Sequence, residues 1–168
     1  DMELTRDMPL EEVKAALDKA MPPAFEVTQM KEVTGKVPSL MSIMERAAYQ
    51  IRLEFVEKVT QEQLDRAVVE FFNRDEIIVY RFKKNRPDKK PVNIRPGVFK
   101  LRMEAEGKFA VLHILVQTGN DFNVRPEEVA YGLMSAGMPS VLNVVRIHRN
   151  GLYVLDKKGE LITPLDVI

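Results

Sequence analysis

Two periods of hydrophobic and polar residues divide the chain into predicted elements. In residues 10–20 the apolar side chains recur every three or four positions, which predicts a helix that begins after Pro9 and ends before Pro22. Residues 2–5 and 25–33 are typical of strands, one on each side of that helix. The first 38 residues therefore predict a βαβ half-unit. Such a unit cannot bury its sheet face alone, so we expect the main sheet, a partner or a further segment to complete it.

Residues 39–150 carry a longer series of elements. Ser39 fits the N-cap of a short helix to about Met44, and the capping-box sequence TQEQ at 60–63 predicts a helix that ends near Asn73. In chain order, the core series is a strand at 47–55, the helix that follows Thr60, a strand at 76–84, a hairpin at 98–117, a helix at 125–137 and a strand at 143–149. The hairpin turns near Glu106–Gly107. This order is close to a ferredoxin-like βαββαβ unit with one added strand.

The last segment, residues 151–168, predicts a second hairpin that turns at Asp156–Gly159. We therefore predict an α+β fold with a mainly antiparallel sheet and helices on one face. Its parts are an N-terminal βαβ half-unit at 1–38, a ferredoxin-like βαββαβ core at 39–150 and a C-terminal hairpin tail at 151–168.

Composition narrows the chemistry that this fold can carry. The 168 residues include 25 Lys and Arg and 25 Asp and Glu, so any binding of nucleic acid must come from a local patch. The absence of cysteine excludes disulfides, thiolate zinc sites, thiol nucleophiles and cysteine-held iron–sulfur clusters. No signal peptide and no apolar run of roughly 20 residues is present, so we expect a cytoplasmic protein without membrane contact. Because the chain opens Asp-Met-Glu-Leu, we expect it to be part of a longer protein.

Positive charge is concentrated in residues 81–102, where Asp88 is the only acidic residue. Because side chains of a strand alternate between its two faces, the predicted sheet carries a basic set on the face away from the helices. That set is Arg52, Arg81, Lys100, Arg102, Arg146, His113 and His148. Such a face favours RNA phosphates, although Phe109 is the only aromatic residue expected there to stack on a base. The alternative is an ordinary polar face, or one that docks a missing N-terminal segment.

Two arginines precede a proline and are therefore expected to be held in extended geometry. Arg95 lies in Ile-Arg-Pro-Gly, and Arg125 lies directly before a predicted helix start, where an anion is favoured. Each could bind a phosphate or carboxylate of a ligand. Alternatively, each could pair with Glu127, Glu128 or another acidic residue of the chain and hold a loop in place. The candidate anion- or RNA-binding residues are therefore Arg81, Lys83, Lys89, Lys90, Asn93, Arg95, Lys100, Arg102, Arg125, Arg146 and His148.

The chain offers little for catalysis or metal binding. His113 and His148 are its only histidines and lack the close, carboxylate-rich spacing of metal ligands. No glycine-rich phosphate loop, nucleophile elbow or HExxH motif is present. We expect no metal, no cofactor and no catalytic residue in this chain by itself, and whether a longer protein is an enzyme stays open.

Four stretches resemble one known family. They are EVTGKVPSLMSIMERAAYQIRLEF (32–55), VNIRPGVFKLRME (92–104), NVRPEEVAYGL (123–133) and VVRIHRNGLYV (144–154), and they are similar to the bacterial radical-SAM-linked family, a domain of unknown function. The chain resembles the C-terminal two-thirds of that domain. Asn93 departs from the family's Asp before Ile-Arg-Pro, and the family's Ser-His-Leu-Asp and Gly-Phe-x-Pro-His-Pro stretches are absent.

The resemblance implies a companion radical SAM protein with a cobalamin-binding region, fused or encoded alongside, and a setting among ribosome and RNA-processing genes. The first hypothesis is an accessory or substrate-binding domain that works with this companion on RNA or a ribosomal substrate. The second is an RNA-binding or RNA-modifying protein whose chemistry lies in a missing N-terminal part. The third is a structural interaction domain.

Overall fold

The N-terminal segment contains one helix. The computed structural model describes residues 2–33, 38–82 and 89–167, and within it α1 spans Leu10–Ala20 as predicted. The predicted strands at 2–5 and 25–33 are wrong, because neither segment is hydrogen-bonded into a sheet. An alternating pattern forms a strand only where a neighbouring strand satisfies its backbone groups. The N-terminal βαβ half-unit is therefore wrong as well.

The remaining elements form a mixed α+β fold around an antiparallel sheet. The helices are α2 (Leu40–Ile43), α3 (Gln61–Asn73) and α4 (Pro126–Ser135). The strands are β1 (Arg46–Phe55), β2 (Ile78–Phe82), β3 (Lys89–Asn93), β4 (Val98–Glu106), β5 (Phe109–Gln117), β6 (Val141–Leu155) and β7 (Leu161–Ile162). The order in the main sheet is β4-β5-β1-β6-β7, and every pairing in it is antiparallel.

β2 does not join the main sheet. Among the described residues it pairs only with β3, in a separate two-stranded ribbon, so the predicted position of Arg81 on the main sheet is wrong. The base of this ribbon is fixed by Ile77 and Ile94, which are both buried and whose backbones are joined by a 2.9 Å hydrogen bond. Beyond this base the ribbon contacts α4, where Arg81 pairs with Glu128.

α3 and α4 cover one face of the main sheet. Leu64, Phe71 and Leu133 of these helices belong to the same buried cluster as Ile51 and Leu112 of the sheet. The predicted capping box is confirmed, because the Thr60 side chain accepts from the backbone N–H of Gln63 and the Gln63 side chain accepts from that of Thr60.

Gln61 joins α3 to the edge of the sheet. Its amide nitrogen donates to the Met103 carbonyl at 2.8 Å, and its amide oxygen accepts from the Ala105 backbone N–H at 2.9 Å. The side chain thus satisfies two backbone groups of β4, which is an edge strand.

Both predicted hairpin turns are confirmed. Gly107 adopts φ 70° between β4 and β5, and Gly159 adopts φ 81° between β6 and β7. β6 runs without interruption from Val141 to Leu155, so residues 150 and 151 lie within one strand. No helix in the described part of the chain is long and apolar enough to cross a membrane.

Candidate nucleic-acid interface

The face of the main sheet opposite α3 and α4, here called the second face, carries the predicted basic residues of β1, β4 and β6. Gln50 is the cross-strand partner of both His113 and His148, and Arg52 is the partner of both Val111 and Arg146. Cross-strand partners point to the same face and lie side by side. The structure therefore brings Arg52, Arg146 and both histidines together on one face, as the alternation of strand side chains predicted.

A groove of about 300 Å³ lies between these side chains. Its lining is Gln50, Arg52, Val111, Arg146 and His148. Arg146 and His148 are exposed, whereas Gln50 and Arg52 are half-buried. The groove therefore offers two guanidinium groups to a ligand that approaches from solvent.

Two aromatic rings hold guanidinium groups on the second face. Arg52 lies over the Phe109 ring at 4.8 Å, and Arg46 lies over the Phe99 ring at 3.9 Å. Sequence reasoning found Phe109 but missed Phe99, because the pairing of β4 with β5 shifts register between Val98 and Lys100. Such a bulge interrupts the alternation from which a face is predicted.

Acidic residues neutralise part of the charge. Arg52 pairs with Glu106 at 3.0 Å and Arg102 pairs with Glu104 at 3.0 Å, and all four side chains are at least 43% exposed. Exposed pairs of this kind contribute little stability and can exchange partners. Arg146 and the exposed Lys100 have no ionic partner among the described residues.

Arg81 lies far from this groove in a tight ion pair. Its Nε donates to Glu128 Oε1 at 2.7 Å, and its Nη2 donates to Glu128 Oε2 and to the Asn123 carbonyl, each at 2.6 Å. Burial alone would raise the pKa of Glu128, but the hydrogen bonds from Arg81 and from the Arg125 backbone N–H outweigh it and hold that pKa below its usual 4.5. The hydrogen bonds to Glu128 in turn raise the pKa of Arg81, and the Nε and Nη2 groups of this guanidinium are both used inside the protein.

Asn93 and Arg95 stabilise the turn that follows β3. The Asn93 side-chain oxygen accepts from the backbone N–H groups of Ile77 and Arg95, at 2.9 and 3.1 Å. The Arg95 guanidinium lies over the Phe72 ring at 4.7 Å and donates to the Phe72 carbonyl at 3.2 Å. These side-chain contacts hold Arg95, and its guanidinium satisfies a carbonyl in the last turn of α3. The predicted extended geometry is wrong for Arg95, whose backbone begins a 3-10 helix at Arg95–Gly97, and is confirmed for Arg125.

The other candidates lie apart from the groove. Lys89 extends over the Phe82 ring at 5.0 Å, and Lys90 is exposed beside it on the ribbon. Arg125 precedes α4, where its backbone N–H donates to Glu128 Oε2 at 3.1 Å. Lys83 lies outside the described residues. Of the predicted set, only Lys100, Arg102, Arg146 and His148 lie on the second face.

The ribbon exposes an apolar face of its own. Ile78, Tyr80 and Phe82 alternate along β2 and are 43%, 64% and 71% exposed. Large apolar side chains that share one exposed face mark an interaction surface more often than chance. This surface lies on the helix side of the sheet, because Arg81, on the other face of β2, pairs with Glu128 of α4.

The described residues contain no group of three or more His, Asp or Glu side chains arranged to hold a metal ion. The second face itself carries Arg, Lys and His side chains, Gln50 and two phenylalanine rings, together with Glu104 and Glu106.

Comparison with known protein families identifies the family of this chain. Residues 1–126 match the family described as "Uncharacterized protein conserved in bacteria (DUF2344)", and the match ends at the start of α4. Arg146 and His148 lie beyond it. No curated protein and no solved structure matches the chain. Because the match takes in 126 of the 168 residues, the chain belongs to this bacterial family.

Proposed function

We propose that this chain is an RNA-binding accessory domain that presents RNA to a partner enzyme, and that the second face is its RNA-binding surface. The observation that carries the proposal is the groove in which Arg52 and Arg146 are direct cross-strand neighbours. Two guanidinium groups held side by side form a site that an anion stabilises, because like charges in direct opposition repel one another until a counter-charge binds.

The second face suits RNA better than an isolated anion. Lys100 and Arg102 extend the positive charge onto β4, and both are exposed. Phe99 and Phe109 supply rings beside Arg46 and Arg52, and unpaired bases stack on aromatic rings and on guanidinium planes. A phosphate backbone contacting several cations, with bases against the rings, fits this arrangement.

We further propose that the partner is a radical SAM protein with a cobalamin-binding region, which rests on the sequence resemblance. The exposed face of Ile78, Tyr80 and Phe82 is the surface on which we propose that it docks. The docking surface and the RNA surface would then be separate, so that the enzyme and the RNA can bind the domain at the same time. We also retain the proposal that β1, α3, β4, β5, α4 and β6 form a ferredoxin-like core, into which the β2–β3 ribbon is inserted.

The second candidate function is a structural interaction domain. The exposed aromatic side chains of the ribbon favour it, since Tyr and Phe are enriched in protein interfaces. In that case the ribbon would bind a protein and the second face would bind no RNA.

Fluorescence anisotropy with a pool of structured RNAs containing single-stranded loops separates these functions. We expect binding by the wild-type chain at low salt and its loss in Arg52→Ala/Arg146→Ala. The matched control is Arg66→Ala/Arg74→Ala, which removes the same charge from exposed positions on and directly after α3. Equal binding by both double variants would contradict the proposed surface, and no binding by the wild type would contradict the function.

A further inference from the structure

A cavity of about 440 Å³ opens at the end of the sheet where β1 begins and β5 ends. It lies between the residues that follow β5, from Thr118 to Phe122, and those from Ser42 to Arg46. This volume falls within the roughly 300–1,000 Å³ of small-molecule sites. The groove on the second face is a different site, since the two share no lining residue.

Polar side chains without protein partners line this cavity. Within the described part of the chain, the side chains of Gln117, Thr118, Asn120 and Asp121 make no hydrogen bond to another protein group. Ile43, Met44 and Phe122 contribute apolar surface beside them. The cavity therefore offers amide, hydroxyl and carboxylate groups for hydrogen bonding next to an apolar wall.

The backbone around the cavity is fixed. The Thr118 N–H donates to the Glu45 carbonyl at 3.0 Å, and the Val124 N–H donates to the Gln117 carbonyl at 3.0 Å. Gly119 adopts φ 130°, and a Cβ there would lie 2.7 Å from the Met44 carbonyl oxygen. The two segments therefore approach so closely at Gly119 that a side chain there would force them apart, and the hydrogen bonds hold the walls of the cavity together.

The cavity adjoins the proposed RNA surface through Arg46. This residue lines the cavity, and its guanidinium lies over Phe99 on the second face. Arg46 and Arg52 are six residues apart on β1, which is about 20 Å along a strand. An RNA strand bound across the groove can therefore extend to the mouth of the cavity.

We propose that the cavity binds one unpaired nucleotide, with the base inside and its phosphate at Arg46. This inference rests on the proposed function and narrows its substrate to RNA with an unpaired nucleotide. Amide and carboxylate groups recognise the hydrogen-bonding edge of a base taken out of its stack, and apolar side chains contact its ring. The guanidinium of Arg46 supplies the phosphate contact.

Saturation-transfer NMR with the four 5′-ribonucleoside monophosphates tests the cavity apart from the RNA surface. We expect the wild-type chain to bind at least one of them at millimolar concentration. Thr118→Val/Asn120→Ala should weaken that binding about fivefold or more, as expected for a lost hydrogen bond. Asn73→Ala, an exposed amide at the end of α3, is the control and should bind as the wild type does. If the double variant unfolds, Asp121→Asn replaces it.

The outcomes distinguish the two proposals. The cavity site would be overturned if the wild type bound no mononucleotide, or if the cavity variants bound as well as the wild type. Neither result would bear on RNA binding by the second face, which the anisotropy experiment tests separately. Mononucleotide binding without RNA binding would contradict the proposed function and retain the cavity as a nucleotide site.

Discussion

Arg52 on β1 and Arg146 on β6 are cross-strand partners on the second face. Glu106, at 3.0 Å, offsets the charge of Arg52 only in part because the pair is exposed, whereas Arg146 has no ionic partner in the described residues. Like charges directly opposite one another in a sheet destabilise it. The fold therefore carries an unfavourable contact at the place where a phosphate would make it favourable.

Replacing Arg146 by glutamine should separate stability from binding. Removal of the repulsion with Arg52 is expected to raise the free energy of unfolding by roughly 0.2–1 kcal/mol, while the affinity for RNA falls. Urea denaturation and anisotropy measure the two effects. Arg149→Gln makes the same charge change on the opposite face of β6, opposite Tyr49, and should leave RNA affinity near that of the wild type. A variant that is less stable and still binds RNA would contradict this account of the pair.

The ion pair of Arg81 with Glu128 should make stability depend on pH. The pKa of Glu128 is lowered in the folded state, so its stabilising effect is complete above the unfolded pKa, near 4.5. That effect disappears as pH falls through the lower folded pKa. We expect Glu128→Gln to lose about 2–4 kcal/mol at pH 7, because it leaves the partly buried Arg81 without a charged partner.

Urea denaturation at pH 7, 5, 4 and 3 checks this prediction. The difference in free energy of unfolding between wild type and Glu128→Gln should shrink as the pH falls below about 4.5. Glu127→Gln, its neighbour in the same helical turn, is the control and should cost much less at pH 7. A difference that stays constant across this range would show that the charge of Glu128 does not stabilise the fold.

Gly132→Ala should destabilise the protein although it improves helix propensity. A Cβ at this position in α4 would lie 2.7 Å from Ile77 Cγ2 and 3.0 Å from Phe71 Cε2. Overpacking of this kind costs about 1–3 kcal/mol, which exceeds the roughly 1 kcal/mol that alanine gains over glycine in a helix. Thermal or urea denaturation measures the change. Tyr131→Ala, at the neighbouring exposed position, should change stability less, and a more stable Gly132→Ala would contradict the close packing.

Substitution of the exposed aromatic residues on the ribbon tests the docking surface. Tyr80→Ser/Phe82→Ser should abolish co-purification with the proposed radical SAM partner. It should leave RNA affinity unchanged, because the second face lies on the other side of the sheet. Val69→Ser removes a comparable exposed apolar side chain from α3 and should retain the partner. Co-purification that survives in the double variant would rule out this surface.

Local signals predicted the parts of the fold that depend on nearby residues. The helix after Thr60 begins with a capping box, and both hairpin turns contain a glycine with positive φ. The cluster of Arg52, Arg146 and His148 followed from strand periodicity, because their strands are neighbours in the main sheet.

Long-range pairing explains what the sequence did not predict. Pro91 lies in the middle of β3, and a proline inside a strand weakens the pattern by which strands are identified. Because β3 was not predicted, the sequence could not show that β2 belongs to a separate ribbon. For the same reason it could not show that Arg81 pairs with Glu128, 47 positions away. The carbonyl partner of Arg95 depends in the same way on the packing of its turn against α3.

The salt dependence of RNA binding tests the central claim most directly. Affinity for a single-stranded RNA is measured by anisotropy across a salt series, for the wild type and for Arg52→Ala/Arg146→Ala. Each phosphate contact contributes about 0.7 to the slope of log affinity against log salt concentration. We predict that the double variant binds more weakly and that its slope is smaller by about 1.4. Unchanged affinity and slope would contradict the assignment of the second face as the RNA-binding surface.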